Sequence, residues 1–179
     1  MSEFEHLIQT YCPNGVGRLK LSSIATIIRG NGLQKKDLKD NGIGCIHYGQ
    51  IYTRYNTAIS KTISFVDAEL ASSLKRVEPG DIVMAVTSEN IEDVCKCIAW
   101  IGDEDIVTGG HTAIIRHNQN PKYLAYWFQT EDFQKQKRSL AHGTKVIEVS
   151  PKQLEDVIVP IPPIEVQIEI VRILDTFTA

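Results

Sequence analysis

At 179 residues the chain is long enough to bury a core of ordinary domain size without support from metals or disulfides. With 42% apolar and 23% charged residues, it is excluded from the disordered, fibrous and low-complexity classes. A net charge of −3 also excludes a protein that coats nucleic acid indiscriminately, because that mode needs a strongly basic surface.

The first residues, Met1 to Glu5, carry acids and no basic cluster ahead of an apolar run, so no secretory signal is read there. Apolar stretches such as Val94 to Ile101 fall far short of the roughly 20 residues of a membrane-spanning helix. No membrane span is expected, and the cytoplasm is the expected compartment.

Leu19 to Ile28 mixes β-branched residues with partial alternation and stops at Arg29-Gly30-Asn31-Gly32, which predicts a strand followed by a loop. Cys45 to Tyr48 and Thr62 to Val66 read as further strands, joined by a polar, aromatic connection holding Gln50, Tyr52, Arg54 and Tyr55. Glu78-Pro79-Gly80-Asp81 is a turn that launches the strand Ile82 to Val86, and Thr87 to Asn90 follows as a polar loop. Lys96 to Ile101 and Thr112 to Arg116 add two strands across a Gly109-Gly110 pair.

From Pro121 the pattern turns helical, with Leu124, Trp127 and Phe128 at helical spacing, and a second helix is expected from Glu131 toward Ala141. His142-Gly143-Thr144-Lys145 ends it. A short strand at Asp156 to Pro160 precedes Pro162-Pro163, which starts a last helix with Ile164, Ile168, Val171, Leu174 and Phe177 as its apolar stripe. The whole reads as a strand-rich α/β (α+β) domain with a few helices.

Of four cysteines, Cys12 and Cys45 stand alone, whereas Cys95 and Cys97 are two apart and would share one face of a strand. A zinc knuckle wants two residues between its thiolates, so buried reduced thiols are expected, with no metal and no cofactor.

Charge is distributed unevenly. Residues 18 to 61 hold eight Lys/Arg against Asp37 and Asp40, or +6; residues 62 to 109 hold three against ten, or −7; residues 110 to 154 hold seven against three, or +4. Two basic zones flank an acidic one, and if they meet in the fold they make a single electrostatic footprint.

Enzymatic readings lack their residues. Asp37-Leu38-Lys39 offers the tail of a nuclease motif, but no acid lies between Glu5 and Asp37 to supply the upstream metal ligand. A methyltransferase would need a glycine-rich cofactor loop and an Asn/Asp-Pro-Pro-aromatic motif, whereas Ile161-Pro162-Pro163-Ile164 lacks both flanking groups. A protein-interaction module whose final amphipathic helix docks on a partner is the remaining alternative.

Three blocks carry a family resemblance. The first is Tyr11-Cys12-Pro13-Asn14-Gly15-Val16 followed by Leu21. The second is Pro79-Gly80-Asp81-Ile82-Val83, then Asn120-Pro121-Lys122-Tyr123-Leu124 ahead of the paired helices and His142 to Val146 after them. The third, and most diagnostic, runs from Leu154-Glu155-Asp156-Val157-Ile158-Val159-Pro160-Ile161-Pro162-Pro163 through Ile164-Glu165-Val166-Gln167 to Asp175. Together they make the chain resemble a target-recognition domain of type I restriction-modification specificity subunits.

That resemblance implies a recognition domain over residues 1–162 and the start of a spacer or dimerisation helix over residues 163–179. It implies a non-catalytic chain that reads one half of a split site on double-stranded DNA while methyltransferase subunits modify adenine. A restriction subunit would join through the complex, and a second recognition domain would read the other half-site.

Sequence readout needs side chains that present donors and acceptors to base edges, with Lys and Arg on phosphates. Expected base contacts are His47, Tyr48, Gln50, Tyr52 and Arg54, then Thr87, Ser88 and Asn90, at predicted strand ends and in the loops that follow them. Lys35, Lys36, Lys61 and Lys145 are expected on phosphates, with Thr144 beside them and Gly143 allowing close backbone approach. Each has a structural competitor: solvation for the lysines, core packing for Tyr48 and Tyr52, and a buried carbonyl for His47. His111 has no spaced partner and is read as structural, and the aromatics Tyr123, Tyr126, Trp127 and Phe128 as core.

Overall fold

The computed structural model describes residues 1–178. The chain opens with α1 (Glu3–Tyr11), capped by Ser2 and Glu5, then β1 (Arg18–Lys20), α2 (Leu21–Ile24) and β2 (Ala25–Arg29). A 3-10 turn (Lys35–Asp37) leads to β3 (Ile43–Ile46), α3 (Tyr48–Thr53), β4 (Ala58–Ile59) and β5 (Ser64–Val66). Next come α4 (Ala68–Ser73), β6 (Lys75–Val77), β7 (Ile82–Ala85), β8 (Thr87–Ser88), β9 (Cys97–Trp100), β10 (Ile106–Thr108) and β11 (Thr112–His117). The last third holds α5 (Pro121–Trp127), α6 (Glu131–Leu140), β12 (Ile147–Glu148), α7 (Pro151–Leu154), β13 (Ile158–Pro160) and α8 (Ile164–Thr178).

Two main sheets result, a five-stranded one in the order β2-β11-β7-β9-β4 and a four-stranded one in the order β5-β3-β10-β6. Period-two alternation sorts their side chains into layers. Ile82, Met84, Ala113 and Ile115 face a core completed by Leu124, Phe128, Phe133, Leu154 and Val171 of the helices. Val83, Ala85 and Ile114 point the other way and meet Ile46, Val77 and Ile106 of the second sheet. The outer face of that sheet is closed by Leu33 and Leu74 over Cys45, Val66 and Val107. The fold is thus α+β, with strand β7 buried on both faces.

The helices start where their caps dictate. Asn120 accepts from the backbone N–H groups of Lys122 and Tyr123 ahead of Pro121, and Thr130 from that of Phe133. Phe133 then packs on Trp127 and Phe128, with ring centroids 5.5 and 4.9 Å away. Helix α8 is tied to this layer by Gln167, which accepts from the Asn120 backbone and donates to the Pro162 carbonyl and to Gln119.

Several elements depart from expectation. The strand over 19–28 is broken by the single turn α2, because fully buried Leu21 docks its N–H on the Val157 carbonyl. The connection after Tyr48 is a helix rather than a loop, since His47 and Gln50 form a reciprocal cap around its start. Thr87 and Ser88 are not loop residues but pair with Glu148 and Ile147 as a two-stranded ribbon. Cys95 does not share a strand with Cys97: it sits in a turn at φ 68° just before β9. In α8 the buried positions are Val166, Gln167 and Val171, while Ile164, Ile168 and Phe177 are exposed, because the helix is held on its α5 side by Tyr126 and Lys122 bonded to Asp175.

All four cysteines are free thiols. Burial pushes the Cys45 and Cys95 thiols up to about 12, so neither supplies a thiolate near neutral pH. Among the described residues no group of His, Cys, Asp or Glu is placed to hold a metal ion, and no helix is long and apolar enough to cross a membrane.

Candidate nucleic-acid interface

The two sheets meet at one rim. Strand β10 runs parallel to β3, with Thr108 beside Ile46, so Gly109 and His47 leave the four-stranded sheet together. From Thr108 the chain crosses through Gly109-Gly110-His111 to Thr112, which lies opposite Ala85 in the five-stranded sheet, with Arg29 one register position away beside Ala113. Lys75 opens β6 opposite Thr108 on the same rim.

Glycine makes this crossing possible. A Cβ on Gly30 would run into the Gly109 carbonyl, and one on Gly109 would stand 2.8 Å from the Leu33 Cβ. The stretch from Gly30 to Leu33 therefore lies directly against the crossing and sets down Lys35 and Lys36, both exposed, just beyond it. The crossing is pinned further by the Thr112 hydroxyl on the Gly109 carbonyl at 2.7 Å and by Arg29 on the Gly110 carbonyl at 3.1 Å.

His47, Tyr48, Tyr52 and Thr87 converge beside it. The Tyr48 ring packs on two imidazoles, with centroids 4.7 Å from His47 and 4.6 Å from His111. His47 Nδ1 accepts the Gly49 N–H at 3.2 Å, which fixes its proton on Nε2. Burial, followed by the neighbouring charges of His111 and Lys35, holds the His47 imidazole below its usual range, so it stays neutral. Thr87, only 6% exposed, puts its hydroxyl 2.9 Å from His111 Nδ1. Tyr52 donates to the Thr87 carbonyl at 2.5 Å, and its phenol is pushed up mainly by burial.

The 142–148 loop closes the other side. His142 and Glu148 bond each other through both backbone groups, and Gly143 at φ 112° makes the tight return, where a Cβ would strike the Val146 carbonyl. Thr144, Lys145 and Val146 are exposed at its tip, while Glu148 at its base pairs with Arg29.

The residues expected from sequence thus divide. Lys35, Lys36, His47, Tyr48, Ser88 and the Gly143-Thr144-Lys145 tip border one rim, with Asn90 just past Ser88. Gln50 faces inward, its oxygen accepting from the His47 backbone and its nitrogen donating to Ser64 at 2.6 Å. Thr87 and Tyr52 likewise spend their polar atoms inside. Asn90 is exposed, but its amide bonds Asp93 on both sides. Arg54 stands at the far end of α3. Lys61 lies at the opposite end of the sheets, in a cleft with Trp100, Asp103 and Glu104, because β4 runs parallel to β9 and carries it away.

Two residues at the rim escaped sequence reasoning. Lys75 falls in the acidic zone by sequence, yet it is exposed and makes no ion pair among the described residues. His111 has no histidine or cysteine spaced for a site, and its only local signal is the preceding Gly109-Gly110 pair.

The sequence profile of the type I restriction modification DNA specificity domain matches residues 13–179. The chain is 24% identical, over 174 residues, to the type I restriction enzyme StySPI specificity subunit of Salmonella potsdam, covering 93% of this chain and 37% of that protein. The same figures hold for the EcoKI specificity subunit of Escherichia coli (strain K12), so the chain spans well under half the length of these relatives. Among solved structures, the HsdS subunit from Thermoanaerobacter tengcongensis superposes with a TM-score of 0.63 at 20% identity, covering 98% of this chain and 43% of that one. The type I restriction-modification S subunit from M. genitalium gives 0.59 at 15%, covering 92% and 40%. The layered α+β fold is therefore one shared with solved specificity subunits, and the chain belongs to the type I restriction modification DNA specificity domain family.

Proposed function

We propose that this chain reads one half of a split DNA site for a type I restriction-modification complex, through the rim at which the two sheets meet. The carrying observation is that Lys35, Lys36, Lys75 and Lys145, from three separate stretches of the chain, stand exposed around one glycine-clamped crossing and make no ion pair among the described residues. Uncompensated cations around a ridge of polar and aromatic groups are what phosphates and groove edges require together.

In this reading the lysines and the Gly143 to Lys145 tip hold phosphates, while His47, Tyr48, Ser88 and Asn90 meet base edges. Gln50, Tyr52 and Thr87 serve them from beneath. The chain performs no chemistry itself: it directs methyltransferase subunits, and through them a restriction subunit, in the cytoplasm. Residues 163–179 begin the helix that spaces this domain from a second recognition domain.

The test is to place residues 1–179 in a specificity subunit, reconstitute it with methyltransferase subunits, and map methylated adenines across a genome. A change in one half of the bipartite motif, with the other half constant, is the expected result. An unchanged motif from an assembled, active complex overturns the reading.

A further inference from the structure

We infer that His111 is a specificity-determining residue of this rim, reading one base edge through its outward nitrogen, with Thr87 as its positioning residue. The inference rests on the DNA-reading role proposed above and adds a residue that sequence pattern alone does not single out.

The first ground is how much of the fold is spent holding an exposed side chain still. His111 is exposed, yet its carbonyl accepts the Val86 N–H at 2.9 Å. The preceding carbonyls are held by Arg29 and by the Thr112 hydroxyl. The Thr112 hydroxyl is itself 2.9 Å from that of Thr108, which donates to the Ile46 carbonyl across to the neighbouring strand. An exposed group on so fixed a backbone has little freedom left to lose on binding.

The second ground is the ring itself. The ring packs on Tyr48 at a tilt of 45°, and Nδ1 is anchored to the Thr87 hydroxyl, so only Nε2 remains without a partner among the described residues. A hydroxyl both donates and accepts. When Thr87 donates to Nδ1, Nε2 carries the proton and offers a donor; when Thr87 accepts, Nε2 offers a lone pair. His47 has no such freedom, because an N–H already occupies its Nδ1.

The surroundings favour a base edge over a phosphate for this nitrogen. Charged and titratable groups reach His111 from several elements: Arg29 of β2 through Gly110, His47 and Tyr48 at the start of α3, and Glu148 of β12 opposite Thr87. Arg29 is already paired with Glu148. His111 therefore stands among polar and aromatic groups, and the arginine bonded beside it is already neutralised by a carboxylate, which suits a base edge better than a phosphate.

The experiment maps methylated motifs for His111→Gln, His111→Ala, Thr87→Val and Thr87→Ser in the reconstituted complex. The expected result is loss of discrimination at one position of the half-motif, roughly tenfold for His111→Ala. Thr87→Val, which keeps the shape and removes the hydroxyl, relaxes the same position, and Thr87→Ser restores it. Thermal melting of each variant separates this from unfolding, which lowers methylation at every site without changing the motif.

A uniform fall in methylation with an unchanged motif and unchanged melting makes His111 a phosphate contact and overturns the inference. So does wild-type behaviour in both His111 variants. If the parent chain itself imposes no half-motif, the DNA-reading role has failed instead, and the two outcomes are distinguished by that control.

Discussion

The two ends of the paired sheets are built from the same strands and treat charge in opposite ways. At the end away from the crossing, Arg116 bonds buried Asp81 at 2.9 Å and approaches Glu78 at 3.4 Å, while Arg76 pairs with Glu78 and Asp105. Both arginines of that network have carboxylates, and Lys61 at the same end, though in no ion pair among the described residues, shares a cleft with Asp103 and Glu104. At the crossing, Lys35, Lys36, Lys75 and Lys145 have none among the described residues. Internal pairing needs no partner molecule, whereas a cluster of like charges repels itself until an anion arrives. One end looks after stability, and in the proposed reading the other is left for a polyanion.

The sharpest way to break that contrast is to remove the free charges. In the assembled complex, replacing Lys35, Lys36 and Lys145 together with alanine should weaken DNA binding on the order of a hundredfold near physiological salt, and lower the salt slope by about 3. Fluorescence anisotropy across a salt series measures both. Lys61→Ala is the matched change at the opposite end, beside Asp103 and Glu104, and should leave the slope where it was. An equal effect from Lys61 would dissolve the distinction between the ends.

The complementary change strikes the paired end. Asp81 is 2% exposed, and besides Arg116 its carboxylate accepts the Glu78 N–H at 2.8 Å. Asp81→Ala strands both donors and should cost about 2 kcal/mol, discounted because the Arg116 side chain is about a third exposed and regains water. Urea unfolding reads the loss. DNA affinity measured well below the melting temperature should not move, and a parallel loss of affinity would mean that the two ends are not independent.

The same comparison explains what the sequence made legible. Strand β7 and helices α5 and α6 follow from local rules: an apolar run after Pro79-Gly80, and caps at Asn120 and Thr130. The helix α3 was hidden because Tyr48, Ile51, Tyr52 and Thr53 favour strands, and only the reciprocal cap between His47 and Gln50 turns them. Strand β10 is three residues between Asp105 and Gly109, too short for any period to register. The lysines of the rim were visible as a charge excess, but Lys75 was averaged into an acidic stretch, and the role proposed for His111 depends on Thr87 and Tyr48, which only the fold brings to it. Gln50 and Thr87 were legible as polar residues at the right place, whereas their inward direction was not.

The smallest effect expected is a pH dependence of stability that belongs to neither end alone. Burial holds His47 at the crossing and His117 at the paired end below their usual range, and Nε2 of His117 is buried with no partner among the described residues. A histidine depressed in the folded state stays neutral there while the unfolded chain takes up a proton. The folded state is thus at full advantage above about pH 6.5, and loses it as pH falls from there toward the depressed value. Carboxylates such as Asp175, held low first by the Lys122 bond, add their loss only below about pH 4, so the two windows separate. Melting temperature should therefore drop slightly between pH 7.5 and 5.5 and level before the carboxylates titrate. His117→Gln should flatten that step without touching the salt dependence of DNA binding. A step of full size in that variant would assign the loss to His47, and with it a stability cost carried by the crossing itself.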